Sequence, residues 1–182
     1  DPSLASALAN DVFASPPPGF DGYVAYRQRL RLTLDTRESP PASGVLADAH
    51  AEQAFDLGAV SERRWIRYGG WLGAYVAVGA DRVLSVHLGL DFADPFGAAD
   101  VPFLEQAQLA SGVLALPGFL PGSLIGRSSA VTTLRYRWPI WARLDASLFV
   151  GAGNVFGEHL RDFDVSLVRL SWGLALQSVG DR

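Results

Sequence analysis

LALPGFLPGSLIGRSSAVTTLRYRWPIWARLDASLFVGAGNVF, residues 114–156, is the stretch that decides the fold. It opens as a loop rich in Gly and Pro and continues as two segments separated by a tight turn. In TTLRYRWPIW the side chains alternate with the period of two that a β-strand requires. One face carries Thr132, Leu134, Tyr136, Trp138 and Ile140, and the other carries Thr133, Arg135 and Arg137. The pattern predicts a strand with one apolar and one cationic face.

The same alternation recurs along the chain. It predicts further strands over residues 23–35, 45–57, 63–78, 84–92 and 166–177. Most of these strands, at about 11–16 residues, exceed the usual soluble length of about 5–6 and suit tilted membrane strands of about 9–11 with extensions. Short turns alternate with longer loops, as in outer-membrane barrels. We therefore predict an all-β, antiparallel meander of about seven long strands that forms part of a transmembrane β-barrel.

Composition narrows the class of protein. A chain of 182 residues suits one domain, and 49% hydrophobic residues is high beside 19% charged residues. Because no apolar run approaches the roughly 18 residues of a membrane helix, any crossing must use strands. The net charge of −4 argues against a nucleic-acid partner, which would need clustered Lys and Arg. The absence of Cys is compatible with an oxidising compartment.

Three sequence features carry a family resemblance. They are the turn DTRESPPASG, the strand that ends Tyr-Arg-aromatic-Pro, and the strand that ends FVGAGNV. In this order, with the long connection 94–127 between strands, the chain resembles the bacterial outer-membrane surface-antigen family, the BamA/TamA-type barrels that insert or export proteins. The resemblance implies that residues 1–182 are a partial barrel domain from a longer protein in the outer membrane of a Gram-negative bacterium.

The family also implies function and partners. We expect a component of protein assembly or translocation, with no enzymatic activity and no cofactor. The expected partners are outer-membrane lipid, substrate outer-membrane or secreted proteins, and periplasmic domains of the same chain. The connection 94–127 corresponds to the family's long extracellular loop, which folds into the barrel lumen and holds an Arg at its tip against acidic wall residues.

This chain departs from the family at the loop tip and at the wall. Pro117, Gly118 and Phe119 form the predicted tip, with Pro117 where the family has Arg. On the predicted wall, Arg135 replaces a Glu and Gly151 replaces an Asp, and Arg137 lies beside them. Since the cation and both acids are missing together, the usual buried ion pair cannot form, and neither half of it is kept without the other. We expect apolar contacts of Phe119 and Leu120, stiffened by neighbouring prolines, to replace the ion pair.

Charged residues on the first two strands form a second candidate site. If the hairpin pairs in register, the arginines of one strand face the acids and histidine of the next, namely Arg27, Arg29, Arg31, Asp48, His50 and Glu52. A metal site with His87 and Asp91 is the alternative. Same-face neighbours on a strand stand about 7 Å apart, too far to share a small ion. The pattern favours a ladder of ion pairs and no metal.

Two other functions fit parts of the pattern. The arginines are also typical of an anion-leaning passive channel. Period-two alternation alone also fits a soluble β-barrel that binds an apolar ligand, with the leucines turned inward. Nucleophilic catalysis is not indicated, because the chain has no Cys, three His and no Gly-x-Ser-x-Gly sequence.

Overall fold

The structure is a computed structural model that describes residues 17–38, 43–79, 81–109, 116–120 and 122–178. Nine strands follow in chain order: β1 (Ala25–Asp35), β2 (Gly44–Asp56), β3 (Arg64–Ala77), β4 (Val83–Pro95), β5 (Ala107–Gln108), β6 (Ile125–Gly126), β7 (Ser128–Trp141), β8 (Leu144–Phe156) and β9 (Arg169–Ser178). Seven of them are 10–14 residues long. The predicted meander of about seven long strands is confirmed.

The long strands form one sheet in which each strand pairs with its neighbour in the chain. The order is β1-β2-β3-β4-β7-β8-β9, and every pair is antiparallel. Arg29 lies opposite Glu52 in the first hairpin, which is the register that the alternating charges predict. The one irregularity lies between Pro139 and Trp141, because proline cannot donate to the ladder there.

The two faces of the sheet differ in character. We call the face that carries Arg29, Glu52 and Asp91 the polar face, and the opposite face, which carries Leu30 and Leu88, the apolar face. Leu30 is 64% exposed and Leu88 is 52% exposed, whereas Glu52 on the polar face is 2% exposed. The polar face is therefore largely covered over the inner strands, while the Arg29 and Arg31 side chains on β1 stay more than half exposed. The apolar face is bare, the reverse of a sheet packed on a hydrophobic core.

The connections also differ between the two ends of the sheet. At one end β1 is followed by β2, β3 by β4 and β7 by β8. At the other end β2 is followed by β3, β4 by the long connection to β7, and β8 by β9. We call these the turn end and the loop end. Within the described residues, no helix has the length and apolar character needed to cross a bilayer.

The long connection holds regular structure that the sequence did not indicate. Strands β5 and β6 pair with each other, and a short 3-10 helix, Phe103–Glu105, precedes them. A second 3-10 helix, Val165–Leu167, lies before β9 and is capped by the Asp164 side chain, which accepts a hydrogen bond from the Ser166 amide. The Gly and Pro residues of the long connection gave no sign of β5 and β6, which form because backbone groups packed on the sheet need hydrogen-bond partners.

Candidate functional site

The acidic side chains of β2 are paired with arginines of β1. Arg29 Nε donates to Glu52 Oε2 at 2.5 Å, and Arg31 Nε donates to Asp48 Oδ2 at 2.6 Å. The Thr33 hydroxyl also donates to Asp48 Oδ2, at 2.8 Å. Asp48 and Glu52 are buried, and charges in such positions require partners. The structure therefore brings these members of the predicted ladder together.

His50 takes a different partner from the one that the hairpin register suggests. Its Nε2 lies 3.3 Å from Asp91 Oδ1 of β4, and Arg67 of β3 donates to Asp91 Oδ2 at 3.0 Å. The ladder therefore continues over four strands and ends at β4. Gly69 allows this reach, since it lies opposite Asp91 and a Cβ there would stand 3.1 Å from Asp91 Oδ1.

Glu105 from the long connection contacts the first strand. It is 5% exposed, and its Oε1 accepts hydrogen bonds of 2.5 Å from Arg27 Nη2 and from the Tyr23 hydroxyl. Burial raises the pKa of Tyr23 above its usual range, and the bond to the Glu105 carboxylate raises it further. The closest partner of Arg27 is therefore Glu105 of the long connection, while Arg27 Nη1 lies 3.7 Å from Glu52 Oε1.

Apolar packing supports this contact at the loop end. Val101, which is fully buried, belongs to one cluster with Ala54, Trp65 and Ala93 of the polar face. Tyr23 packs edge-on against Trp65, with ring centroids 5.7 Å apart. Before β1, the carbonyl of Pro18 accepts a hydrogen bond from the Phe103 amide at 3.0 Å.

Farther along the same polar face, the connection packs against glycines of β8. A Cβ on Gly151 would stand 2.8 Å from Leu116 Cδ1, and one on Gly153 would stand 2.9 Å from Leu109 Cδ1. Leu109 and Leu116 are 2% and 1% exposed. The Ser171 hydroxyl of β9 donates to the Pro117 carbonyl. The two glycines leave room for these leucines, whose methyl groups occupy the space that a Cβ would fill.

The remaining predicted site residues are Gly118 and Phe119 at the tip and Arg135 and Arg137 on the wall. Gly118 has φ +95°, and a Cβ there would be 3.6 Å from Ser171 Oγ, while Phe119 is partly buried. Arg135 lies over the Phe149 ring at 6.0 Å, and Arg137 Nε lies 3.7 Å from Asp145 Oδ2.

The expectation for Leu120 is wrong, since 79% of this residue is exposed. Leu116, one position before the predicted tip, makes the buried contact instead. The loop turns at Pro117 and Gly118 and carries Leu120 away from the wall, which the sequence pattern could not show.

A polar pocket of about 250 Å³ remains between the connection and the ion pairs. Arg31, His50 and Arg67 line it from the sheet, and Gln108 and Leu109 close it from the connection. Among the described residues no group of acids and histidines is placed to hold a metal ion. What the site can do is bind polar groups or water beside a wall whose charges are already paired.

Comparisons with known proteins agree with this architecture. Among solved structures, BamA from Haemophilus ducreyi, crystallised without its POTRA domains 1–3, matches with a TM-score of 0.66 and 18% identity. The match covers 84% of this chain and 36% of that chain, so the likeness concerns the fold and a fraction of a longer barrel protein. No curated protein matches. Residues 24–179 match the Omp85 superfamily domain. This chain belongs to the Omp85 superfamily.

Proposed function

We propose that this chain forms part of the outer-membrane barrel of a Gram-negative protein that assembles or translocates other proteins. Family membership supports this, and the bare apolar face is the observation that carries it. Aromatic pairs mark both ends of that face. Tyr136 stacks on Trp138 near the turn end and Tyr68 stacks on Phe92 near the loop end, each with centroids 5.4 Å apart. Such girdles are typical of membrane barrels.

The long connection then lies inside the barrel. If the apolar face meets lipid, the polar face must line the lumen. Val101, Glu105, Leu109 and Leu116 are all buried against that face. Residues 101–109 and 116–120 then lie in the lumen, with Leu116 and Glu105 in place of the arginine tip expected from the family.

The charge pattern favours a plugged scaffold over an open anion channel. Arg29, Arg31 and Arg67 each have a carboxylate partner at 3.0 Å or less. Paired arginines present little net positive charge to a passing anion. The barrel therefore acts through its walls and strand edges, without catalytic chemistry or a cofactor.

Membrane insertion is tested on the full-length protein. We expect the protein to require detergent for extraction and to migrate faster on gels before heating than after. A protein that stays soluble without detergent and shows no heating-dependent shift would contradict the membrane assignment and favour a soluble barrel.

Function is tested by reconstitution. Full-length protein in phospholipid vesicles should accelerate the folding of an added outer-membrane protein or the transfer of a secreted substrate, whereas heat-inactivated protein should not. Single-channel recording on the same vesicles should show a closed baseline. A steady anion conductance with no effect on either substrate would instead identify a passive channel.

The position of the loop is tested by cross-linking, because the chain has no native Cys. Gly118→Cys with Ser171→Cys should be joined by a short bifunctional thiol reagent in intact cells. Gly122→Cys with Ser171→Cys is the control, since Gly122 shares a positive φ but has nothing within 4 Å. Equal yields for the two pairs would refute a loop seated on the wall.

A further inference from the structure

A groove of about 720 Å³ crosses the apolar face near the loop end. Small residues and larger apolar rings line it, among them Gly70, Ala130, Ala152, Phe92, Phe156 and Phe163. These residues come from β3, β4, β7, β8 and the loop before β9. Ala130 and Ala152 lie diagonally on the neighbouring strands β7 and β8, and Gly70 lies on β3 beyond Leu90 of β4, so these small residues leave a trough in a face otherwise covered by leucines.

One polar side chain in the groove has an unused donor. Asn154 is 6% exposed and lines the groove. Its Oδ1 accepts a hydrogen bond from the Val155 amide at 2.8 Å, but its Nδ2 has no acceptor among the described residues. A buried amide donor without a partner is costly, and more so at a hydrocarbon boundary where water is scarce. A ligand in the groove would therefore be favoured if it placed an acceptor oxygen beside Asn154 Nδ2.

The depth of Asn154 suits a particular part of a lipid. It stands two positions before the end of β8 at Phe156, about 7 Å along the strand. Just beyond, the Tyr68 hydroxyl lies 2.9 Å from both Asp94 Oδ2 and His159 Nε2, and Arg127 donates to Asp94 Oδ1 at 3.3 Å. In the proposed membrane location this polar group lies at the level of the lipid headgroups, which puts Asn154 where acyl carbonyls begin.

We propose that the groove is a lipid site that takes one acyl chain from the leaflet on the loop side and binds its ester carbonyl through Asn154 Nδ2. The chain lies over Gly70, Ala130 and Ala152, and the head rests beside the polar group of Tyr68. The inference rests on the proposed membrane location and adds to it a defined lipid with one hydrogen bond.

A lipid fits this surface better than a protein partner does. Within a bilayer the hydrophobic effect gives no drive to join two apolar protein faces, because lipid tails are as apolar as leucine. A partner would have to fill the trough closely and supply an acceptor to Asn154. An acyl ester already carries both the flexible chain and the carbonyl oxygen.

The first test fills the groove. Full-length protein is reconstituted in bilayers of phosphatidylethanolamine and phosphatidylglycerol, extracted in mild detergent, and its bound phospholipid is counted by native mass spectrometry. Ala152→Leu should lower retention of one phospholipid by at least about tenfold. Ala74→Leu, on the same face but outside the groove, should retain it as the wild type does. Equal retention of phospholipid by the two variants would overturn the lipid site. A dimer of the wild type that only Ala152→Leu disrupts would also overturn it, because the groove would then be a protein contact.

The second test addresses the carbonyl. The wild type should retain an ester phospholipid about two- to tenfold better than a diether phospholipid, which has no carbonyl, and Asn154→Leu should lose that preference. No ester preference in the wild type would refute the role of Asn154. Gel mobility of the same samples separates the two proposals. A wild type that does not insert overturns both, whereas an inserted barrel with unselective retention overturns the lipid site alone.

Discussion

The two halves of the polar face hold the long connection in unlike ways. On the β1 side, Glu105 accepts hydrogen bonds from Arg27 and Tyr23. On the β8 side, Leu109 and Leu116 pack into the space left by Gly153 and Gly151. The first contact depends on charge and direction, and the second on volume. Ion pairs that water can reach are weakened by salt, and a small increase in their separation costs little free energy. Close apolar packing tolerates almost no change in side-chain size.

These two contacts explain how the long connection can stay packed on the sheet without the arginine tip. The single buried ion pair expected from the family is here divided into an ionic contact and an apolar contact that lie on different strands. Each can be removed separately, so their contributions can be measured.

The largest effect is expected on the apolar side. Leu116→Ala should lower the free energy that holds the connection on the sheet by about 2–5 kcal/mol. The reason is that removing a leucine that is 1% exposed leaves a cavity against Gly151. Protease cleavage within the connection, measured on intact protein, should rise accordingly. Leu120→Ala is the control, since that residue is 79% exposed and should leave cleavage unchanged. Similar cleavage of both variants would mean that packing does not hold the loop.

A smaller effect is expected on the ionic side. Glu105→Gln should lower the free energy that holds the connection on the sheet by about 1–3 kcal/mol, because a charge-assisted hydrogen bond is lost. The loss is limited because the Arg27 side chain is 42% exposed and water can still hydrate it. The same protease assay, with salt varied, measures it. Glu158→Gln removes the exposed pair with Arg161 and should change stability by less than about 0.5 kcal/mol. A cost for Glu105→Gln above that of Leu116→Ala would reverse the comparison.

The smallest effect at neutral pH concerns Tyr23. Burial first, and the Glu105 carboxylate second, raise the pKa of Tyr23, so the folded state favours the neutral phenol. This stability is fully present below the ordinary tyrosine pKa of about 10 and is lost as pH rises toward the higher folded value. Tyr23→Phe should flatten the fall of the thermal midpoint above pH about 10. An unchanged alkaline fall would show that Tyr23 is not the group responsible.

The sequence was sufficient to predict the strands and the faces. Period-two alternation is local, so the Leu30 and Arg29 faces follow from neighbouring residues alone. The register of β1 on β2 was only a condition of the predicted ladder, because alternation fixes which side chains share a face and a shift of two residues keeps the same faces. The structure meets that condition, with Arg29 opposite Glu52.

The contacts of the loop could not be predicted in the same way. Glu105 and Arg27 are separated by 78 positions, and nothing near either residue indicates the other. His50 has Arg31 opposite in the register, yet it lies against Asp91 two strands away. Such pairings depend on how the folded loop and the side chains share space, which is a property of the assembled sheet.

The glycine wall has a consequence for how this protein can vary. Glycine alone lacks a Cβ, so every missense change at Gly151 or Gly153 places a new atom within about 3 Å of a leucine. A side chain at either position therefore requires the facing leucine to move. A larger wall residue is accommodated best together with a smaller loop residue, so the wall and the loop limit each other's size.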